Sequence, residues 1–178
     1  LTGGDYLRFD GETVVPVSEV ATVPTVTISR LPNGGGTVYE SVNLLSPRRT
    51  DSFLCDGSSK KYYLSATNID EVTGVLYNGE PCEISYTVDK STGCVTFSTA
   101  PAAPLVTGQD NLLITYSKEV EGYAERIQKC RFVSQYGIGG ADYWFVSGNP
   151  DQPNFDWCSA LQDPTYFPDL GYAKIGGE

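Results

Sequence analysis

Apolar and polar positions alternate along most of this chain, and the alternation predicts strands. TVTISRL puts Val26 and Ile28 on one face and Thr25, Thr27 and Ser29 on the other. KYYLSATN does the same with Tyr62 and Leu64 against Tyr63 and Ser65, and NLLITYSK with Leu112, Ile114 and Tyr116 on one face. Turn chemistry divides these runs. Asp10-Gly11 between YLRF and TVVPV, Asn78-Gly79 in GVLYNGEP, and KSTG between SYTVD and CVTFS each predict a hairpin. Pro16 places its strand at an edge. YESVNLL has weak helical spacing, enough for one short turn. In EGYAERIQKCRFVSQYG the alternation of Ile127, Lys129, Arg131 and Val133 favours a strand, RIQKCRFVSQYG, over a helix. A turn at Gly139-Gly140 and the strand DYWFVSG follow.

The predicted fold class is all-β. A small antiparallel, Ig-like β-sandwich module spans about 51–118, with a core of Leu64, Ile69, Val75, Tyr86, Val88, Val95, Phe97, Leu112, Ile114 and Tyr116. It is inserted in, or flanked by, a second β domain made of 1–50 plus 119–178, with long ordered loops. Insertions of this kind enter at exposed loop tips.

The stretch 142–175 breaks the alternation. It holds both tryptophans and six further aromatic rings among Asn, Asp, Gly and four prolines. That composition excludes a helix and is too aromatic for a disordered linker. The expectation is a strand followed by a rigid docking loop. Its candidate interaction residues are Trp144, Asn149, Pro150, Asn154, Phe155, Trp157, Tyr166 and Phe167, because aromatic anchors dominate interface energetics. A host-glycan platform is the alternative use of the same rings. Packing of the rings on their own sheet is the plainer reading.

Composition narrows the chemistry. The net charge of −10 gives no basic footprint for nucleic acid. Arg48-Arg49 and Lys60-Lys61, the only adjacent basic pairs, are expected to be solvated surface or salt-bridge partners rather than a nucleic-acid site. No run of 18 apolar residues predicts a membrane span. The chain lacks His, which removes Ser-His-Asp and Cys-His nucleophiles and His-ligated zinc. Cys55, Cys82, Cys94, Cys130 and Cys158 form no C-x-x-C pair, and hairpin register holds Cys82 and Cys94 about 20 Å apart. All five are expected to be reduced, in a chain made in a reducing cytosol. Asp142, Asp151, Asp156, Asp163 and Asp169 cluster in the stretch 142–175; Asp163 before Pro164, and Asp151 and Asp169 after Pro150 and Pro168, are ordinary turn placements, so a turn role is the first reading, calcium binding the second and a carboxylate-pair glycosidase the last. The expectation is therefore no enzyme, no catalytic residue, no metal and no cofactor. The triple glycine 34–36 reads as a surface turn, since no Lys and no helix follow it as a phosphate loop requires. The start at Leu1 and the lack of Met suggest a piece of a longer protein, and no basic apolar leader opens it.

The residues DGSSKKYYLSATNIDEVTGVLYNGEP, YTVDKSTGCVTFSTAPAAP and DNLLITYSK resemble the small β-sandwich modules of tailed-bacteriophage virion proteins. SGNPDQPNFDWCSALQDPTYFPDLGYAKIG is similar to phage and prophage structural proteins of the head–tail stabilisation or tail type, as is GGGTVYESVNLLSPRR. The resemblance implies a non-enzymatic virion part made in the bacterial host cytoplasm. Its partners would be portal, adaptor or tail subunits and further copies of itself. It also implies that 1–50 and 119–178 are propeller-like, since relatives of the stabilisation type include β-propellers.

Overall fold

The turn dipeptides place their hairpins as expected. In a computed structural model describing residues 6–176, β1 (Leu7–Phe9) pairs antiparallel with β2 (Val14–Pro16) across Asp10-Gly11. The short helix α1 (Val17–Val20) follows. The chain then enters β3 (Thr25–Arg30), β4 (Thr37–Val38) and β5 (Arg48–Phe53), with the three glycines 34–36 at positive φ between β3 and β4. YESVNLL forms no helix; it begins just after β4 ends and closes in a turn at Leu44-Leu45. Next come β6 (Lys61–Tyr63), β7 (Glu71–Tyr77), β8 (Glu80–Pro81), β9 (Tyr86–Asp89), β10 (Cys94–Phe97) and β11 (Leu112–Ser117). Asn78 and Gly79 both take positive φ between β7 and β8, as a two-residue hairpin turn demands.

The chain forms two compact units. The second unit, Pro24–Ser41 with Arg48–Glu119, is a sandwich of a six-stranded sheet ordered β4-β3-β5-β11-β7-β8 and a three-stranded sheet ordered β6-β10-β9. Its core joins Phe53, Tyr62, Leu64, Ile69, Val75, Val95, Phe97, Leu112, Ile114 and Tyr116. Two residues expected there differ: Tyr86 is exposed and Val88 is partly buried. The predicted boundary near residue 50 cuts through β5. Strands β3, β4 and β5 belong with this sandwich because β3 pairs parallel with β5 and β5 pairs with β11.

Strand β5 reads RRTDSF, too polar to look like a central strand, yet most of it is buried. Most of its polar groups are hydrogen-bonded, although the Nε of Arg49, a residue expected at the surface and here buried, has no partner. Arg49 donates to the Lys118 carbonyl, Thr50 and Thr115 share a hydroxyl hydrogen bond, and the Ser52 hydroxyl donates to Asp110. Buried Asp51 accepts from the Thr27 hydroxyl at 2.5 Å, the Ser65 backbone N–H at 2.6 Å and the Ser65 hydroxyl at 2.9 Å. Such groups are tolerated inside only when hydrogen-bonded.

Gly93, in the turn between β9 and β10, has φ +68, and a Cβ there would overlap the Ala66 carbonyl oxygen. Gly93→Ala is expected to destabilise the second unit by about 1–3 kcal/mol, read as a lower urea midpoint with unchanged slope.

The first unit comprises Leu1–Val23, Val42–Pro47 and Val120–Glu178. Here α2 (Tyr123–Gln128) replaces the first half of the strand expected from 126 onward. Only β12 (Phe132–Ile138) is extended, followed by β13 (Ala141–Ser147), β14 (Phe155–Cys158) and β15 (Tyr172–Lys174). These four strands make an antiparallel meander in chain order, β12-β13-β14-β15. The stretch after β13 is thus two more strands with turns between them rather than one loop. Its core gathers Val17, Ala21, Leu44, Leu45, Ile127, Cys130, Val146, Trp157 and Phe167.

Candidate interaction surface

Four of the eight residues expected to be docking anchors are interior. Trp157 and Phe167 are fully buried, and Tyr166 and Asn149 are buried as well. Pairing of β14 with both β13 and β15 is the reason. It turns Trp157 opposite Val146 and Tyr172, on the core side of the meander. Phe155 stacks on Trp157 with ring centroids 5.7 Å apart and is half-buried. Asn149 is a helix cap. Its Nδ2 donates to the Glu125 and Arg126 carbonyls in the last turn of α2; the Glu125 carbonyl also accepts from the Lys129 backbone N–H, and the Arg126 carbonyl from the Cys130 thiol. Trp144 is half-buried, its backbone N–H donating to the Ser159 hydroxyl. Pro150 and Asn154 alone of the eight are exposed, both in turns.

The acidic residues are engaged locally. Asp163 accepts from the Thr165 backbone N–H and hydroxyl and from the Thr22 hydroxyl at 2.5 Å. Partial burial pushes its carboxyl up, but these hydrogen bonds outweigh that and leave it below the usual carboxylate range. Asp151 pairs with Lys129 at 2.5 Å, and Asp142 accepts from Gln135. Among the described residues no group of three or more Asp, Glu or Cys is arranged to hold a metal ion. The five thiols are unpaired, and burial pushes Cys130 up to about 11, so it is no nucleophile at neutral pH.

The surface that does expose large apolar groups is the outer face of the β12–β13 hairpin. Its register pairs Phe132 with Ser147, Ser134 with Phe145, Tyr136 with Tyr143 and Ile138 with Ala141. Directly opposed residues share a face. One face therefore carries Phe132, Tyr136, Ile138, Tyr143 and Phe145, while Trp144 and Val146 turn to the core with Trp157. Phe132, Tyr136 and Ile138 are 67%, 66% and 79% exposed. Tyr143 and Phe145 are half-buried, their rings tilted at 6.4 Å. Gly148, at φ +75, leaves room for the Phe132 ring, which a Cβ would strike. The sequence signal was present: FVSQYGI is uncharged, and its even-numbered positions are apolar except Ser134. The alternation of Ile127, Lys129, Arg131 and Val133 runs in the opposite, odd-numbered phase and masks it.

Comparison with protein-family models, with curated proteins and with solved structures finds no match. The fold defines an all-β protein with sandwich-like architecture.

Proposed function

We propose that this chain is a structural component of a tailed-phage particle, working at the head–tail joint or in the tail through protein–protein contacts. One observation carries the contact role: the aromatic outer face of the β12–β13 hairpin, exposed on the side of the sheet away from the core. Contiguous exposed apolar patches mark interaction sites. Rigid Tyr and Phe side chains add contact area there at low entropic cost. The four-stranded meander has the strand number of a propeller blade, which agrees with the propeller-type relatives that the sequence resemblance implies. Portal, adaptor or tail subunits are the partners this reading names.

The test is deletion and complementation in the phage that encodes the chain. Mass spectrometry of banded particles should find the chain, and the deletion should accumulate heads and tails that do not join. Complementation with Phe132→Ser/Ile138→Ser should restore joining poorly. Infectious particles that assemble without the chain refute the proposal.

A host-glycan reading keeps one supporting observation, the exposed Tyr136 opposite Tyr143, since tyrosine faces stack on sugars. Trp157 cannot serve that role from the core.

A further inference from the structure

A free sheet edge invites pairing, and folded proteins blunt their edges with charge, proline or brevity. Almost every edge here follows that rule. In the first unit, β15 has three residues and carries Lys174, and the β1–β2 hairpin holds Arg8 and Pro16. In the second unit, β4 is two residues long, β8 is Glu80–Pro81, β6 carries Lys61 and β9 carries Asp89. Among the described residues β12 is the exception. It is an edge of seven residues, exposed throughout, with no charge and no proline.

Its backbone is also presented correctly. Gly139 and Gly140, at φ +65 and +83, close a two-residue turn, so Ile138 and Ala141 form the hydrogen-bonded pair beside it. Pairs alternate from there. The backbone groups of Gly137, Gln135 and Val133 consequently point away from β13, toward any added strand.

We propose that β12 pairs antiparallel with β12 of a second copy of this chain, about a two-fold axis at Gln135. This deepens the contact reading above by naming the partner at the hairpin. The strand is self-complementary in that register. All seven residues pair: Phe132 faces Ile138 of the other copy, Ser134 faces Tyr136, and Val133 faces Gly137. Opposed residues stay on one face, so the two aromatic outer faces merge across a continuous eight-stranded sheet. Electrostatics favours the same seam. Each copy carries −10, and a strip without charged side chains lets two such chains meet without juxtaposing like charges.

Sedimentation equilibrium of the 178-residue chain tests this. The wild type should be a dimer of the 19.3 kDa chain. Gln135→Pro removes an outward N–H without taking a bond from β13, and Ser134→Lys adds the charge that other edges carry. Each should give a folded monomer with the wild-type circular dichroism spectrum; Ser134→Lys decides the matter if Gln135→Pro does not fold. Mild oxidation should crosslink Gln135→Cys, which meets itself at the axis, and should crosslink neither Ser134→Cys nor the wild type. A monomeric wild type, a dimer that survives Ser134→Lys, or equal crosslinking at 134 and 135 overturns the proposal. So do open-ended polymers, which would point to β12–β15 pairing. A monomer that still enters particles refutes the self-pairing alone, and a dimer absent from particles refutes the particle role alone.

Discussion

Trp157→Ala is expected to destabilise the first unit by about 3–5 kcal/mol, the usual cost of emptying a large aromatic site in a core. The indole is 1% exposed. It stacks on Phe155, meets the Tyr172 ring at 5.2 Å, and lies under the Arg126 guanidinium at 5.6 Å. These partners come from β14, β15 and α2, so the cavity cannot close without moving elements that other contacts hold. Typical stabilities are about 5–15 kcal/mol, so the loss removes much of what holds this unit folded. Trp144, the only other tryptophan, lies in the same unit and reports its unfolding by fluorescence. Guanidinium titration of the variant should show an early Trp144 transition. An unchanged midpoint with lost partner binding would return Trp157 to the role of a surface anchor.

The second large effect is expected at Asp51. Asp51→Ala leaves the Thr27 hydroxyl and the Ser65 backbone N–H and hydroxyl without their acceptor in the interior. Each stranded donor costs about 1–3 kcal/mol, and about 3–5 kcal/mol in total is expected, since the Ser65 hydroxyl retains Tyr116 as a neighbour at 3.0 Å. Asp51→Asn should lie between wild type and Ala, because its amide keeps one acceptor but sets an N–H against a donor. Near-ultraviolet dichroism of the tyrosines in the second unit, followed through urea, measures both. A neutral Asp51→Ala would show that this network does not hold β3 to β5.

These two sites bear on function by what they leave over. The rings of 142–175 that are spent on the core cannot also bind partners. The proposed contact role then rests on residues just before them in the chain, Phe132, Tyr136 and Ile138, which are exposed. Their replacement by Ser should change stability little, because they are already largely hydrated.

What the chain's own sequence determined is local. Asn78-Gly79, Asp10-Gly11 and Gly139-Gly140 set their hairpins because positive φ at a turn is a property of the residues in it. The period-two face of Leu112, Ile114 and Tyr116 is core because strand geometry alone puts the three on one side. The all-β class follows from many such signals. Only the tertiary structure decided the rest, through partners distant in the chain. β3 and β5 enter the sandwich by a parallel pairing that no turn residue encodes. Polar β5 is buried where Asp110, Thr115 and Lys118 hydrogen-bond its Ser52, Thr50 and Arg49 from far along the sequence. α2 prevails over an equally good strand pattern where Asn149 caps its carbonyls from 23 and 24 residues away. Trp157 is core and Phe132 is surface because the meander assigns one face inward and the other outward. Two aromatic residues of similar hydrophobicity carry no mark in the sequence of which face they will receive.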